Sequence, residues 1–389
     1  MLKKSEKSNF IPYGTQNINS NDIKEVISVL KSEFLTQGPL VTKFEEQIVN
    51  YCKAKHATVV NSATSALHIA CLSLGLKKGD LLWTSPNTFV ASANCAIYCN
   101  ADIDFVDIDI ETRNISIEAL EEKLSIAEKN NKLPKIIVPV HFGGNSCDMI
   151  RIKKLSQIYG FKIIEDASHA IGAEYKGSKV GSCKYSDITI FSFHPVKIIT
   201  TGEGGAATTN SKLLNDKMNL LRSHGITRDK TKFIGKTDEE WAYQQLTVGF
   251  NYRMTDIQAA LGISQMNRLD NFIDKRNYLA KIYNSLLKGN DLSLARVDSE
   301  NKSSMHLYTV LFRNKKKRDS IYRKMIKENI GVNIHYIPVH TQPFFREIGF
   351  KRGMFPKSEE YYSKTLTLPL HTKLTKKDMT RICKIIINS

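Results

Sequence analysis

Residues 187–210, DITIFSFHPVKIITTGEGGAATTN, decide how this chain is read. Residues 187–193, DITIFSF, are apolar, β-branched and aromatic, the composition of a strand buried on both faces. Four residues past it stands a single cation, Lys197, followed at once by a glycine-rich turn and a second run of small and β-branched residues. A lysine held between a core strand and a backbone-permissive loop calls for a chemical reason.

The rest of the chain bounds the answer. Its 389 residues suit two or three domains around a large core. With 41% hydrophobic and 24% charged residues, the composition argues for a globular chain and against long disorder. No run approaches the roughly 18 apolar residues of a membrane span. The opening MLKKSEKSNF has positive charge without an apolar stretch behind it, so no signal peptide is read and a cytoplasmic location is expected. Seven cysteines are scattered, odd in number and without a CxxC pair, which predicts small buried apolar residues and no disulfide framework or metal site. The formal charge of +17 is read as a solvated basic surface, because the lysines accompany many Asn, Ile and Ser and no nucleic-acid-binding motif is present. That surface helps to attract an anionic small molecule.

Outward from 187–210, strands and helices alternate. Strands are predicted at 57–60 (ATVV), 81–85 (LLWTS), 102–108 (DIDFVDI), 135–142 (KIIVPVHF), 161–167 (FKIIEDA), 187–193 and 205–210. Helices are predicted at 62–75, 88–99, 116–129 behind a serine cap, and 148–160. This is the pattern of an α/β fold with a mostly parallel sheet covered on both faces. Near residue 255 the pattern changes to long helical periodicity. Strand, helix, strand then follow at 306–312, 317–331 and 332–338 (VNIHYIP). The division predicted is a large domain over 1–260 and a smaller α+β C-terminal domain over 261–389, with linking helices.

In parallel sheets of this kind, ligands sit at the carboxyl ends of the strands. Four features fall there. IIEDASHA puts Asp166 at a strand end, with His169 three residues on; such a carboxylate either caps a helix or holds a cation. NSATSALHIA opens a helix straight after a strand, either as an ordinary cap at Ser62 or Thr64 or as an anion site of free N–H groups. Phe89 in TSPNTFVASAN is either core or a face on which a flat ring can stack. Lys197 completes the set. Neither a Walker loop nor a GxGxxG fingerprint is present, which counts against nucleoside triphosphate and dinucleotide chemistry. A phosphate cradle, an aromatic platform, a carboxylate and a lysine together match one cofactor, pyridoxal 5′-phosphate. Its aldehyde takes a lysine as a Schiff base, and its ring nitrogen needs an anion to keep a proton.

The motifs FLTQGP, NSATSALH, EDASHAIGA, SFHPVK, TTGEGGAATTN, RSHGI, GFNYRMTDIQAALG and HYIPVH span nearly the whole chain. By them the sequence resembles the sugar aminotransferases of the DegT/DnrJ/EryC1/StrS family, fold-type I enzymes. Within that family it is most similar to the branch making UDP-4-amino-4,6-dideoxy-N-acetyl-β-L-altrosamine on the route to pseudaminic acid. The resemblance implies Lys197 as the Schiff-base lysine, Asp166 as partner of the pyridinium nitrogen, and His169 near the phenolic oxygen. It implies Phe89 as the stacking aromatic, and Ala63, Thr64 and Ser192 as phosphate and ligand contacts. Asn251 matches an asparagine that reaches the phosphate of a neighbouring subunit, which implies a homodimer with shared active sites. Tyr13, Thr36, His335 and Tyr336 match positions that meet the nucleotide sugar, and L-glutamate is the implied amino donor. One branch of the family carries histidine in place of the lysine and dehydrates its sugar instead. Lys197 separates this chain from that branch, and the Lys197/Asp166 pair disfavours a cofactor-binding regulator without turnover.

Overall fold

The structure, a computed structural model, describes residues 10–235 and 239–388. The stretch read for a signal peptide lies mostly outside these, in residues 1–9. Seven strands build the main sheet: β1 (His56–Val60), β2 (Leu81–Thr84), β3 (Asp102–Phe105), β4 (Ile136–Val138), β5 (Lys162–Asp166), β6 (Ile188–Ser192) and β7 (Gly205–Thr209). Their spatial order is β1–β7–β6–β5–β4–β2–β3. The pairs β2–β3, β2–β4, β4–β5 and β5–β6 are parallel. Only β7 runs against its two neighbours. The α/β class and the mostly parallel sheet follow from the sequence as read, since β-branched strands buried on both faces need helices above and below.

The helices begin where the sequence provides caps. Ser62 accepts the Ser65 N–H at the start of Ala63–Ser73, and Ser116 accepts that of Ala119 before Ile117–Lys129. Thr255 and Gln258 form a reciprocal capping box at Asp256–Met266. The helix Pro39–Cys52 starts after Gly38, which has no side chain to cap it. The Asp256 carboxylate supplies the cap from a distant part of the chain, accepting the N–H groups of Gly38 (2.8 Å) and Leu40 (3.0 Å). Two helices, Asp256–Met266 and Leu269–Leu287, lead to a second, antiparallel sheet of Leu292–Leu294, Tyr308–Phe312 and Thr365–Leu368. Its core includes Val310, Ile321, Met325, Leu366 and Met379, and the N-terminal Ile11 packs into that same core. All seven cysteines are buried.

Three predicted strands are shorter or absent. Residues 135–142 form a strand only to Val138; Pro139 follows, and Phe142–Gly144 is a 3-10 turn. Of residues 102–108, the strand runs only to Phe105, and Ile108 makes an isolated bridge to Ile115. Residues 332–338 do not form a strand. Asn333 alone bridges Thr367, through N–H···O contacts of 3.2 and 2.7 Å. The reason lies in the side chains: Asn333, His335 and Tyr336 all line one cavity, so the segment leaves the pleat in which successive side chains alternate. Thr365–Leu368 takes the place of the expected strand.

The glycine-rich turn after Lys197 has a packing role. A methyl group at Gly205, the first residue of β7, would lie 2.4 Å from the amide nitrogen of Ala63 and 2.5 Å from the carbonyl carbon of Ser62. Only glycine lets the start of the Ala63–Ser73 helix approach β7 so closely. Gly205→Ala is therefore expected to lower stability by about 1–3 kcal/mol. Urea unfolding checks this, and an unchanged midpoint would contradict the packing argument.

Candidate active site

β5 and β6 lie side by side in parallel register, with Asp166 opposite Ile190. Their carboxyl ends therefore open into the same space, a cavity of about 500 Å³. Lys197 reaches it from the turn after β6, and its amide N–H is held by the His194 carbonyl at 2.9 Å. Burial pushes the Lys197 amine down from 10.5 to about 8, with the Asp166 charge opposing part of that shift. The Asp166 carboxylate is 5% exposed. One oxygen accepts the Ser168 N–H at 3.0 Å, and the other accepts the Ser92 hydroxyl at 2.6 Å. Cation and carboxylate thus share one wall of a half-enclosed space.

The other walls come from distant segments. The start of the Ala63–Ser73 helix faces the cavity with Ala63 and Thr64, whose N–H groups belong to the first turn and have no intrahelical acceptor. Phe89 stands at the rim with 58% of its surface exposed, its ring centre 6.3 Å from that of Tyr336. Three histidines close the far side. His169 Nδ1 accepts the Gly143 N–H at 3.3 Å, so the ring proton sits on Nε2 and is donated to the Tyr336 hydroxyl at 3.1 Å. Burial, together with Lys197 and His335, holds His169 well below the usual histidine range. His306 lies 4.5 Å from the His169 ring and is lowered chiefly by burial. His335 is lowered to about 3 by burial and then by Lys197, and its Nδ1 meets the Thr367 hydroxyl at 2.8 Å. Burial raises the Tyr336 phenol, which keeps its proton at neutral pH.

Ten of the twelve residues singled out in the sequence line this cavity: Lys197, Asp166, His169, Ser192, Ala63, Thr64, Phe89, Tyr13, His335 and Tyr336. Thr36 and Asn251 do not. Both are exposed, joined to the protomer through backbone bridges to Thr255 and Ser223 respectively. The sequence reading missed Thr88, Ser92, Ser168 and His306, which also line the cavity. His306 lay within a run read as strand, and Ser92 within a helix of small residues, so nothing local singled them out. Among the described residues, none of the groups lining the cavity is an arginine.

Sequence and structure comparisons place the chain among known proteins. The DegT/DnrJ/EryC1/StrS aminotransferase family matches over residues 16–387. The UDP-4-amino-4,6-dideoxy-N-acetyl-β-L-altrosamine transaminase of Campylobacter jejuni is 39% identical over 371 residues, 95% of this chain and 94% of that protein. The structure of Helicobacter pylori PseC, an aminotransferase involved in pseudaminic acid biosynthesis, superposes with a TM-score of 0.89 at 31% identity, covering 97% of this chain and 98% of the other. The PLP form of the putative sugar aminotransferase Spr1654 from Streptococcus pneumoniae superposes with a TM-score of 0.87 at 27% identity, covering 97% of both. The fold and site define an aminotransferase. The chain belongs to the DegT/DnrJ/EryC1/StrS aminotransferase family.

The lowered Lys197 amine has a direct consequence. A group with its midpoint near 8 becomes a neutral nucleophile as pH rises through 8, whereas an ordinary lysine waits until about 10.5. In cofactor-free protein, acylation of Lys197 followed by peptide mass mapping should rise with a midpoint near pH 8. A midpoint shared with the surface lysines would show that the amine is not desolvated.

Proposed function

We propose that this chain is a pyridoxal 5′-phosphate-dependent nucleotide-sugar aminotransferase. It moves the amino group of L-glutamate to C4 of a UDP-linked 4-keto-6-deoxy-N-acetylhexosamine, giving UDP-4-amino-4,6-dideoxy-N-acetyl-β-L-altrosamine for pseudaminic acid biosynthesis. The observation that carries the reading is the meeting of Lys197 and Asp166 in one cavity at adjoining strand ends. The residues present fit the cofactor. The close approach allowed by Gly205 brings the first-turn N–H groups of Ala63 and Thr64 to the cavity, where they would hold a phosphate beside Ser192. Phe89 would cover the ring, Asp166 would face its nitrogen, and His169 would lie near its phenolic oxygen.

When bound, the cofactor supplies an electron sink and carries the amino group between the two half-reactions. The chain's residues do the rest. Lys197 Nζ, which becomes neutral as pH rises through about 8, takes a proton from the donor α-carbon and later returns one to the sugar carbon that becomes aminated. Asp166 stabilises positive charge on the ring nitrogen. His169, His306 and His335 are kept neutral chiefly by burial, so they offer hydrogen bonds without adding positive charge. Tyr13, whose ring lies 5.6 Å from that of His335, and Tyr336 form the side on which the sugar would rest.

A second copy of the chain completes the proposal. Asn251 is exposed, as are Trp241 (74%), Tyr243 (56%) and Val248 (76%) on the same stretch of chain. An apolar run so exposed suits coverage by a partner. The homodimer would place Asn251 at the partner's site.

Keto nucleotide sugars offered one at a time with L-glutamate test the reading, with products followed by mass spectrometry and NMR. The proposed acceptor, UDP-2-acetamido-2,6-dideoxy-β-L-arabino-hexos-4-ulose, should give the 4-amino product and one equivalent of 2-oxoglutarate. Preferential amination of the D-xylo epimer would overturn the sugar, and absence of 2-oxoglutarate with every ketone would overturn the reaction. Asp166→Asn should cut turnover by about 100-fold or more, an electrostatic loss of about 3 kcal/mol. Near-normal turnover in that variant would remove Asp166 from its role. Mixed Lys197→Ala and Asn251→Ala protein should regain part of the activity after subunit exchange, and a fully active monomer by light scattering would exclude the shared site.

A further inference from the structure

We infer that Ser92, backed by Thr88, is a positioning residue that fixes the rotation of the Asp166 carboxylate. The inference rests on the reading of Asp166 as partner of the cofactor's ring nitrogen. The observation is a short hydroxyl chain beneath the cavity. The Thr88 and Ser92 hydroxyl oxygens are 2.8 Å apart, and Ser92 Oγ is 2.6 Å from Asp166 Oδ2. All three side chains are almost wholly buried, at 2%, 1% and 5% exposure.

The direction of the chain follows from counting protons. An ionised carboxylate has none to give, so the single Ser92 proton goes to Asp166. Ser92 can then only accept from Thr88, so the Thr88 hydroxyl donates. The order is Thr88 to Ser92 to Asp166, with each link polarising the next.

Two donors do different work on this carboxylate. The Ser168 N–H, at 3.0 Å from Oδ1, belongs to the same loop as Asp166 and moves with it. Ser92 stands on the first turn of the Ala91–Tyr98 helix, 74 residues away in the chain. Only this second contact ties the carboxylate to an independent element and stops it turning about its Cβ–Cγ bond. The adjacent carboxylate on the same strand, Glu165, does not substitute. It is committed elsewhere, accepting from Ser186 (2.5 Å) and Thr189 (3.0 Å) and meeting His141 Nε2 at 2.7 Å. The segment that carries Thr88 and Ser92 also carries Phe89, and the Ser92 N–H is bonded to the Phe89 carbonyl at 3.2 Å. One short turn thus sets both the aromatic rim and the anion behind it.

A ring nitrogen that keeps its proton withdraws electrons from the imine formed at Lys197, and so lowers the pH at which that imine loses its own proton. Loosening Asp166 reverses this. Loaded Ser92→Ala should therefore show its yellow-to-colourless pH transition shifted upward by about one unit, a tenfold change in proton affinity. Its kcat should fall roughly tenfold with KM little changed. Thr88→Val, close to isosteric, should shift the transition in the same direction by less. A Ser92→Ala transition that coincides with wild type overturns the inference, even if the variant is less stable to heat. Should Ser92→Ala fail to fold or load, Thr88→Val decides, since a shift supports the positioning role and coincidence with wild type removes it. A wild-type protein that never forms the yellow species would instead overturn the parent reading of the site.

Discussion

Parallel pairing of β5 with β6 is the constraint on which the rest of the site depends. The pairing sets Asp166 against Ile190, and the Ala167 N–H continues it onto the Ile190 carbonyl at 2.9 Å. One strand therefore ends in a carboxylate just where its neighbour turns towards a lysine. A one-residue slip would send Asp166 to the opposite face of the sheet and seat Glu165 in the cavity. Such a slip is opposed by the partners that Glu165 already holds below: His141, Ser186 and Thr189. Adjacent acidic residues of opposite facing, each with its own donors, lock the register from both sides.

The electrostatic character of the cavity follows from burial more than from charge. Lys197 is shifted because water is excluded from it, and Asp166 offsets only part of that effect. The same exclusion keeps His169, His306 and His335 neutral, and Lys197 adds to the effect by repelling any further positive charge. The result is a wall of hydrogen-bonding groups whose protonation is fixed across the pH range in which Lys197 itself titrates. A titrating amine facing buried histidines that stay neutral is a simple acid–base device.

Much of this was legible in the primary structure, for a physical reason. Buried parallel strands read as apolar runs, helices announce themselves through caps, and the residues that touch a ligand cluster just after strand ends. Lys197, Asp166, Thr64 and Phe89 were found by those rules, and Ala63 came from the family resemblance. What escaped was decided by contacts between distant segments. Ser92 looks like any small helical residue until its hydroxyl is seen on Asp166. The 332–338 segment reads as a strand because Val332, Ile334 and Tyr336 are good strand formers, yet the demands of the cavity wall pull it out of the sheet after a single bridge at Asn333. The cap of the Pro39–Cys52 helix could not be read locally, because Asp256 delivers it from across the fold.

The cavity draws its walls from almost the full length of the chain, from Tyr13 near the beginning through Lys197 to His335 and Tyr336. Contacts of such sequence separation close late, since the entropy of bringing the ends together must be met before the contact returns anything. During synthesis the cavity-facing helix start and the lysine emerge well before the segment that roofs them. The nascent large sheet can form while its cavity still lacks the far wall. A ligand that needs both walls then binds the finished fold in preference to any partial one, and at a thousandfold excess over its dissociation constant it would add about 4 kcal/mol to the stability of that state. A cavity walled from both ends of the chain therefore couples ligand affinity to completion of the fold.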